Sequence, residues 1–291
     1  MSWNLIKCKH REFNLMKYCF FTKLCKLSFI GSLLNKSTKN KAKQVNNKAE
    51  VNENGLFTSL LEKYFRLEVD LGSYYKKWSE SDELFKTAGQ QFYGIRMLAQ
   101  EPVENLFSFI CSQNNHISSS FVPVHLDPIS PFNTYELFTF LLKMESQLRE
   151  LGFGYRAKFI QKSAAQIVEW GGEEWFKSLQ EMKYKDAKSE LMKLHGIGPK
   201  VADCICLMSL HHLEALPVDT HVYQIATHYL PHLRGRKSVT DKMYAEIGDH
   251  FRNLYGDLAG WAHTVSFHLF LLCIFSPKLA ILKIVIRFQK K

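Results

Sequence analysis

One stretch constrains this chain more than any other: Leu191 to Val222, LMKLHGIGPKVADCICLMSLHHLEALPVDTHV. Residues 191–194 close a helix, because the apolar repeat ends there and glycine follows. His195 to Pro199 reads as a tight turn, with Gly196 and Gly198 both free to take φ > 0. Pro199 suits the first position of a new helix, where its missing N–H costs nothing. Val201, Cys204, Ile205 and Met208 then recur at helical spacing, which predicts a helix from Pro199 to about Leu210. A helix, a turn and a second helix present backbone N–H groups at a helix N-terminus, a ready site for a phosphate. Lys200 sits just past that turn. Asp219, nineteen residues later and close to Pro217, is placed to cap a helix from about Thr220 to Tyr229. By spacing alone Lys200 is either a reactive amine or a phosphate-contacting lysine, and both readings stay open.

Charge is unevenly spread. The 291 residues carry a formal net charge of +10, yet residues 1–50 alone hold 11 Lys+Arg against 2 Asp+Glu, and residues 271–291 hold 5 basic residues and no acidic one. The remaining 51–270 hold 22 basic and 26 acidic residues. A nucleic-acid reading of the body therefore rests on local geometry rather than on bulk charge. The seven cysteines (8, 19, 25, 111, 204, 206, 273) are odd in number and contain no Cys-x-x-Cys. That excludes a paired disulfide framework and an ordinary zinc or iron–sulfur spacing, and fits free thiols in a reducing compartment.

In order, the chain reads as three parts. Residues 1–54 are a basic segment, open to three readings: an organelle-targeting leader, a disordered arm that holds DNA, or a poorly structured tail. Residues 55–270 are helical throughout. Helices are expected at Asp70–Trp78, at Ser81–Thr87 with Ser81 or Asp82 as cap, and from Pro102 to the polar pair Asn114-Asn115. A proline-rich loop at 121–134 precedes Tyr135–Leu151, and a further helix opens at Gly154-Tyr155-Arg156. Others follow at Glu173–Leu179, Tyr184–Leu194, Asp241–Tyr255 and Ala259–Phe275. Strand patterns are almost absent, so the fold class is all-α, with two helical subdomains. Residues 271–291 form a divergent basic tail, and neither apolar run near it is long enough to span a bilayer.

The blocks LFSFICSQNN, LGFGYRAKFI, KVADCICLM, PVDTHV and GWAHTVSF, in this order, resemble those of eukaryotic 8-oxoguanine DNA glycosylases, members of the helix–hairpin–helix glycosylase superfamily whose hairpin is followed by a Gly/Pro…Asp loop. The resemblance covers about Glu62 to Phe267. It implies catalytic roles for Lys200, as the amine that attacks C1′ and forms a Schiff base, and for Asp219, as the negative charge facing an oxocarbenium-like transition state. Burial beside a helix N-terminus would favour the neutral amine. Cys204, four residues beyond Lys200 on one helix face, is implied in the base pocket, paired with the lysine as a dipole or an ion pair. Met208, His221, His263 and Phe267 are implied around the same pocket, Phe267 stacking on the flipped base. Asn114 and Asn115 would fill the gap left in the duplex, Tyr155 would wedge the stack, and Arg156 would read the orphan cytosine. Gly196, Gly198 and Val201 would carry the hairpin's contact with DNA.

Three positions depart from that pattern. The family's N-terminal domain is expected to be missing or replaced by the basic segment. His263 stands where the family has a glutamine that reads the base edge, and Ser119 where it has a second cytosine-reading arginine. The expected function is a bifunctional DNA N-glycosylase and AP lyase, acting as a monomer on duplex DNA that carries an oxidised purine opposite cytosine. The resemblance implies no cofactor and no metal, and a nuclear location, with the mitochondrion as the other. The alternatives are a non-catalytic DNA-binding remnant or isoform, and a related glycosylase with another base preference.

Overall fold

The computed structural model describes residues 58–113, 145–150, 152–236 and 238–275, with side chains through Phe267. Among the described residues every α-helix, 3-10 helix and turn belongs to a helical architecture, and no strand occurs. After a helical stretch at 58–65 come α1 (Leu71–Ser81), α2 (Glu83–Gln91) and α3 (Pro102–Ser112). Then follow α4 (Glu145–Glu150), α5 (Arg156–Glu169), α6 (Glu173–Glu181) and α7 (Tyr184–Leu191). The last four are α8 (Pro199–Ser209), α9 (Thr220–Tyr229), α10 (Asp241–Tyr255) and α11 (Ala259–Phe275).

Short polar side chains set most of these boundaries by satisfying the first N–H groups of a helix. Asp82 caps α2 by accepting from the amides of Leu84 and Phe85, Glu101 caps α3 through Val103 and Glu104, and Thr240 caps α10 through Met243. Asp219 caps α9 as its position beside the loop suggested. Some expected boundaries shift. Capping by Asp82 starts α2 at Glu83 rather than Ser81, and it runs on to Gln91. Gln113 turns to extended backbone and ends α3 before the asparagine pair. α7 stops at Leu191, and 192–196 are turns. α11 spans Ala259–Phe275, the range expected for it.

The helices pack as two groups. α1, α2, α9, α10 and α11 pack with one another, built from both ends of the described chain; α3 to α8 form the other group. Their buried residues join in one core, in which Trp78, Phe85, Phe251, Tyr255 and Trp261 in the first group are fully buried, as are Leu106, Ile160, Leu191 and Ile205 in the second. Each such side chain contributes roughly 1.5–3 kcal/mol relative to exposure. Asp82 also ties the first group together. Beyond capping α2, its carboxylate accepts from the hydroxyls of Tyr229 on α9, at 2.8 Å, and Tyr255 on α10. The groups meet where α11 begins. The Gly260 amide donates to the Leu213 carbonyl at 2.9 Å, and a Cβ there would lie 2.1 Å from the Ala215 carbonyl oxygen. Only glycine lets α11 approach the loop that leads to Asp219 so closely. No described helix is long and apolar enough to cross a membrane.

Candidate active site

The turn between α7 and α8 is held from behind by side chains. Gln113, the C-cap of α3, donates to the Gly196 carbonyl at 2.6 Å. Ser163 and Gln166, one helical turn apart on α5, donate to the carbonyls of His195 and Lys193 at 2.8 and 3.2 Å. Gln166 also accepts from the His195 amide at 3.1 Å. Gly196 adopts φ +83°, and a Cβ on it would sit 2.7 Å from the ring of Phe159. Gly198 does not use the left-handed region anticipated for it. It is extended at φ −97°, and a Cβ there would meet nothing within 4 Å. Its part is to be the N-cap of α8, and no side chain caps that helix. The first N–H groups of α8, Val201's among them, are therefore not taken up by a capping side chain.

Lys200, on the first turn of α8, is half-buried, with its Nζ 5.4 Å from the centre of the Phe109 ring on α3. Cys204 lies one turn further along, and Met208 continues the same face. Cys204 is 4% exposed. Burial pushes its thiol up to about 11; the Lys200 charge and hydrogen bond pull the other way, and the charges of Asp203 and Asp219 push up again. At neutral pH Cys204 is thus a thiol, so of the two forms expected for the pair the structure fits the dipole and not the ion pair. Met208 accepts a weak hydrogen bond from the Gln100 amide, 3.7 Å away.

Asp219 comes to this face from the loop before α9. Its Oδ1 accepts from the amides of His221 and Val222 at 2.9 and 2.8 Å, which fixes the carboxylate at the helix N-terminus. Its charge is felt by both Cys204 on α8 and His263 on α11. Asp219 is therefore the group common to the lysine helix and the far wall. That wall is aromatic. Phe267 lies 6.2 Å from the ring of His221 and 6.1 Å from that of His263, and is itself partly exposed. His263 is 4% exposed, and its Nε2 has no hydrogen-bond partner. Burial lowers it to about 4 and the Asp219 charge offsets only part of that, so the ring is neutral at physiological pH. A neutral imidazole offers one donor and one acceptor.

Tyr155 is 50% exposed and packs edge-on against Phe159, the ring that backs the Gly196 turn, at 5.4 Å. Without DNA, Arg156 is turned to backbone carbonyls. It is 8% exposed, and its guanidinium donates to the carbonyls of Phe153 and Cys111 at 3.0 and 2.8 Å, with longer contacts to Gln113 and Gly152. Here it fastens the start of α5 to the end of α3. Asn114, Asn115 and Ser119 lie outside the described residues. The residues that sequence reasoning missed, Gln113, Ser163, Gln166 and Phe109, act through long-range contacts to backbone or ring. Only Gln113, just before the asparagine pair, carried a local hint.

A family model for the 8-oxoguanine DNA glycosylase N-terminal domain matches residues 6–106. The Saccharomyces cerevisiae N-glycosylase/DNA lyase is 38% identical over 255 residues, covering 74% of this chain and 67% of that protein. The chain belongs to the 8-oxoguanine DNA glycosylase family. The Arabidopsis thaliana N-glycosylase/DNA lyase OGG1 is 39% identical over 219 residues, covering 70% of this chain. The chain thus spans 60% of the length of the plant relative and 67% of that of the yeast one. Among solved structures, a Clostridium acetobutylicum 8-oxoguanine glycosylase/lyase bound to double-stranded DNA with cytosine opposite 8-oxoguanine is similar at TM-score 0.58 and 29% identity, over 74% of each chain. The family match begins at residue 6, inside the basic segment set apart from the family above. The division expected at residue 54 therefore does not mark where family resemblance starts.

Proposed function

We propose that this chain excises oxidised purines, 8-oxoguanine opposite cytosine foremost, from duplex DNA and then nicks the strand. The observation that carries the reading is the placement of Lys200 on the first turn of α8, over the Phe109 ring and one turn from Cys204, with the charge of the capping Asp219 carboxylate acting on that same Cys204, beside a partly exposed aromatic wall. The names of the family's relatives support the same activity.

The residues divide the work as follows. The uncapped α8 N-terminus takes a backbone phosphate of the damaged strand. Tyr155 props the stack apart while the damaged nucleotide swings out, and Phe267 offers a ring face to the extruded base. As the N-glycosidic bond lengthens, positive charge grows on the sugar, and the fixed carboxylate of Asp219 stabilises it. The Lys200 amine forms a bond to C1′ and the base departs with the bonding electron pair, taking a proton from the amine. Ring opening gives an imine between Lys200 and C1′. Loss of the C2′ proton then expels the 3′ phosphate in a β-elimination, and water frees the lysine. Phe109 and Cys204 hold the amine on its line of attack and keep bulk water away from it.

A 5′-labelled duplex with one 8-oxoguanine opposite cytosine tests the reading. Strand cleavage at the lesion, ending in a 3′ unsaturated aldehyde, is expected. Equal affinity for damaged and undamaged duplex, with no cleavage, would instead identify a non-catalytic DNA-binding protein. A second reading rests on His263. Its partnerless nitrogen, one donor or one acceptor, could select a different base edge, so excision should be compared across several oxidised and alkylated bases. Action as a monomer, in the nucleus or the mitochondrion, completes the proposal.

A further inference from the structure

α8 carries one charged side chain on its buried side. Asp203 is fully buried, three residues beyond Lys200. Its Oδ1 accepts from the Tyr184 hydroxyl at 2.7 Å, and its Oδ2 from the Lys188 ammonium at 2.8 Å and the Tyr244 hydroxyl at 2.5 Å. Burial pushes its carboxyl up, while Lys188 and the two hydroxyls hold it down. An unpaired carboxylate here would cost several kcal/mol, and the three donors together offset that cost.

One of those donors does something else as well. The Tyr244 oxygen accepts from the amide of Val218, at 3.1 Å, the residue directly before Asp219. Its single proton points to Asp203, the nearer acceptor, and the Leu216 carbonyl lies farther off at 3.4 Å. Lys188 sits over the Tyr244 ring, 4.4 Å from its centre, which keeps the ring in place. A continuous path of hydrogen bonds thus runs from the lysine helix, through Asp203 and Tyr244, to the loop that delivers Asp219. On the other side of Asp219, the α9 cap fixes the carboxylate. Nearer α8 the loop is held by His212 to Cys206 and by Gly260 to Leu213, but at Val218, directly before Asp219, Tyr244 is what refers it to the lysine helix.

We infer that Tyr244 is a positioning residue for catalysis: anchored on Asp203, it holds the Val218 amide and so sets Asp219 against Lys200. This rests on the excision activity proposed above. The test is single-turnover excision by the full chain, under saturating enzyme, for wild type, Tyr244→Phe, Asp219→Asn and the double variant. The wild-type rate is read first; its absence would sink the excision reading and leave nothing to attribute to Tyr244, whereas its presence makes the variants a test of the positioning alone. Tyr244→Phe keeps the ring under Lys188 and removes only the hydroxyl. We expect its rate to fall roughly tenfold, with affinity for the damaged duplex unchanged. In the Asp219→Asn background the same change should cost nothing further, because the group it positions is gone.

Tyr184→Phe is the matched control. It also strips one hydroxyl from Asp203, but that hydroxyl bonds nothing in the Asp219 loop and the ring beside His212 is kept, so it should keep the wild-type rate. Equal losses in the two phenylalanine variants, or a Tyr244→Phe loss that multiplies with that of Asp219→Asn, would overturn the inference and leave Tyr244 as packing. Should Tyr244→Phe fail to give a cooperative melt, Asp203→Asn takes its place in the same cycle and is read by the same criteria.

Discussion

His263 makes stability depend on pH in a direction and amount that can be worked out. In the folded protein the ring is buried and lowered to about 4; in the unfolded chain it returns to the ordinary value near 6.5. Below that value the unfolded chain binds a proton that the folded one does not, so stability falls as pH falls. The contribution is complete above 6.5, and the loss ends near 4. Each pH unit inside that window costs about 1.4 kcal/mol, or roughly 2 kcal/mol by about pH 5 and ~3 kcal/mol at the lower limit. His211 and His250 are also lowered by burial and push in the same direction, so wild type alone does not isolate His263. His263→Gln does. Urea unfolding of both proteins from about pH 7.5 to about pH 5 should show the wild-type advantage, whatever its size at neutral pH, shrinking by about 2 kcal/mol. A difference that stays constant would show that the ring takes a proton as easily folded as unfolded. The neutral, buried imidazole in the pocket wall would then be wrong, and with it the base-selective role given to that ring.

Other changes separate scaffold from site. Gly196→Ala puts a methyl group against Phe159 at a left-handed backbone position and should cost about 2 kcal/mol in urea unfolding, with excision slowed. Asp82→Ala removes the α2 cap and the acceptor for two tyrosine hydroxyls, and should lower stability by about 3 kcal/mol, seen as a fall in Tm. Tyr155→Ala, at an exposed position, should leave Tm within about a degree of wild type, since surface changes are small, yet reduce excision severalfold in a gel-based cleavage assay.

What could be read from the residue order divides along a physical line. Features fixed by neighbours in the chain were legible. Asp219 before Thr220 caps a helix, Pro199 opens one, and the apolar repeat from Val201 to Met208 gives the helix face that carries Lys200 and Cys204. Features fixed by distant partners were not. Nothing local to Arg156 shows that the carbonyls of Cys111 and Gln113 would take up its guanidinium. Gly198 looked like a second left-handed glycine because the turn's shape is set by Gln113, Ser163 and Gln166, which lie far away along the chain. The Asp203–Tyr244 tie spans 41 residues and had one sign in the sequence, an aspartate inside an apolar helix, which is costly unless partners await it.

The central claim is that Lys200 is the nucleophile. The direct measurement is borohydride trapping on duplex DNA with 8-oxoguanine opposite cytosine, followed by denaturing electrophoresis. A covalent protein–DNA band is expected with the wild-type chain, with none from Lys200→Gln even though that variant still binds the damaged duplex. A band of equal intensity from Lys200→Gln, or no band from a wild-type chain that binds the lesion tightly, would contradict the assignment of Lys200.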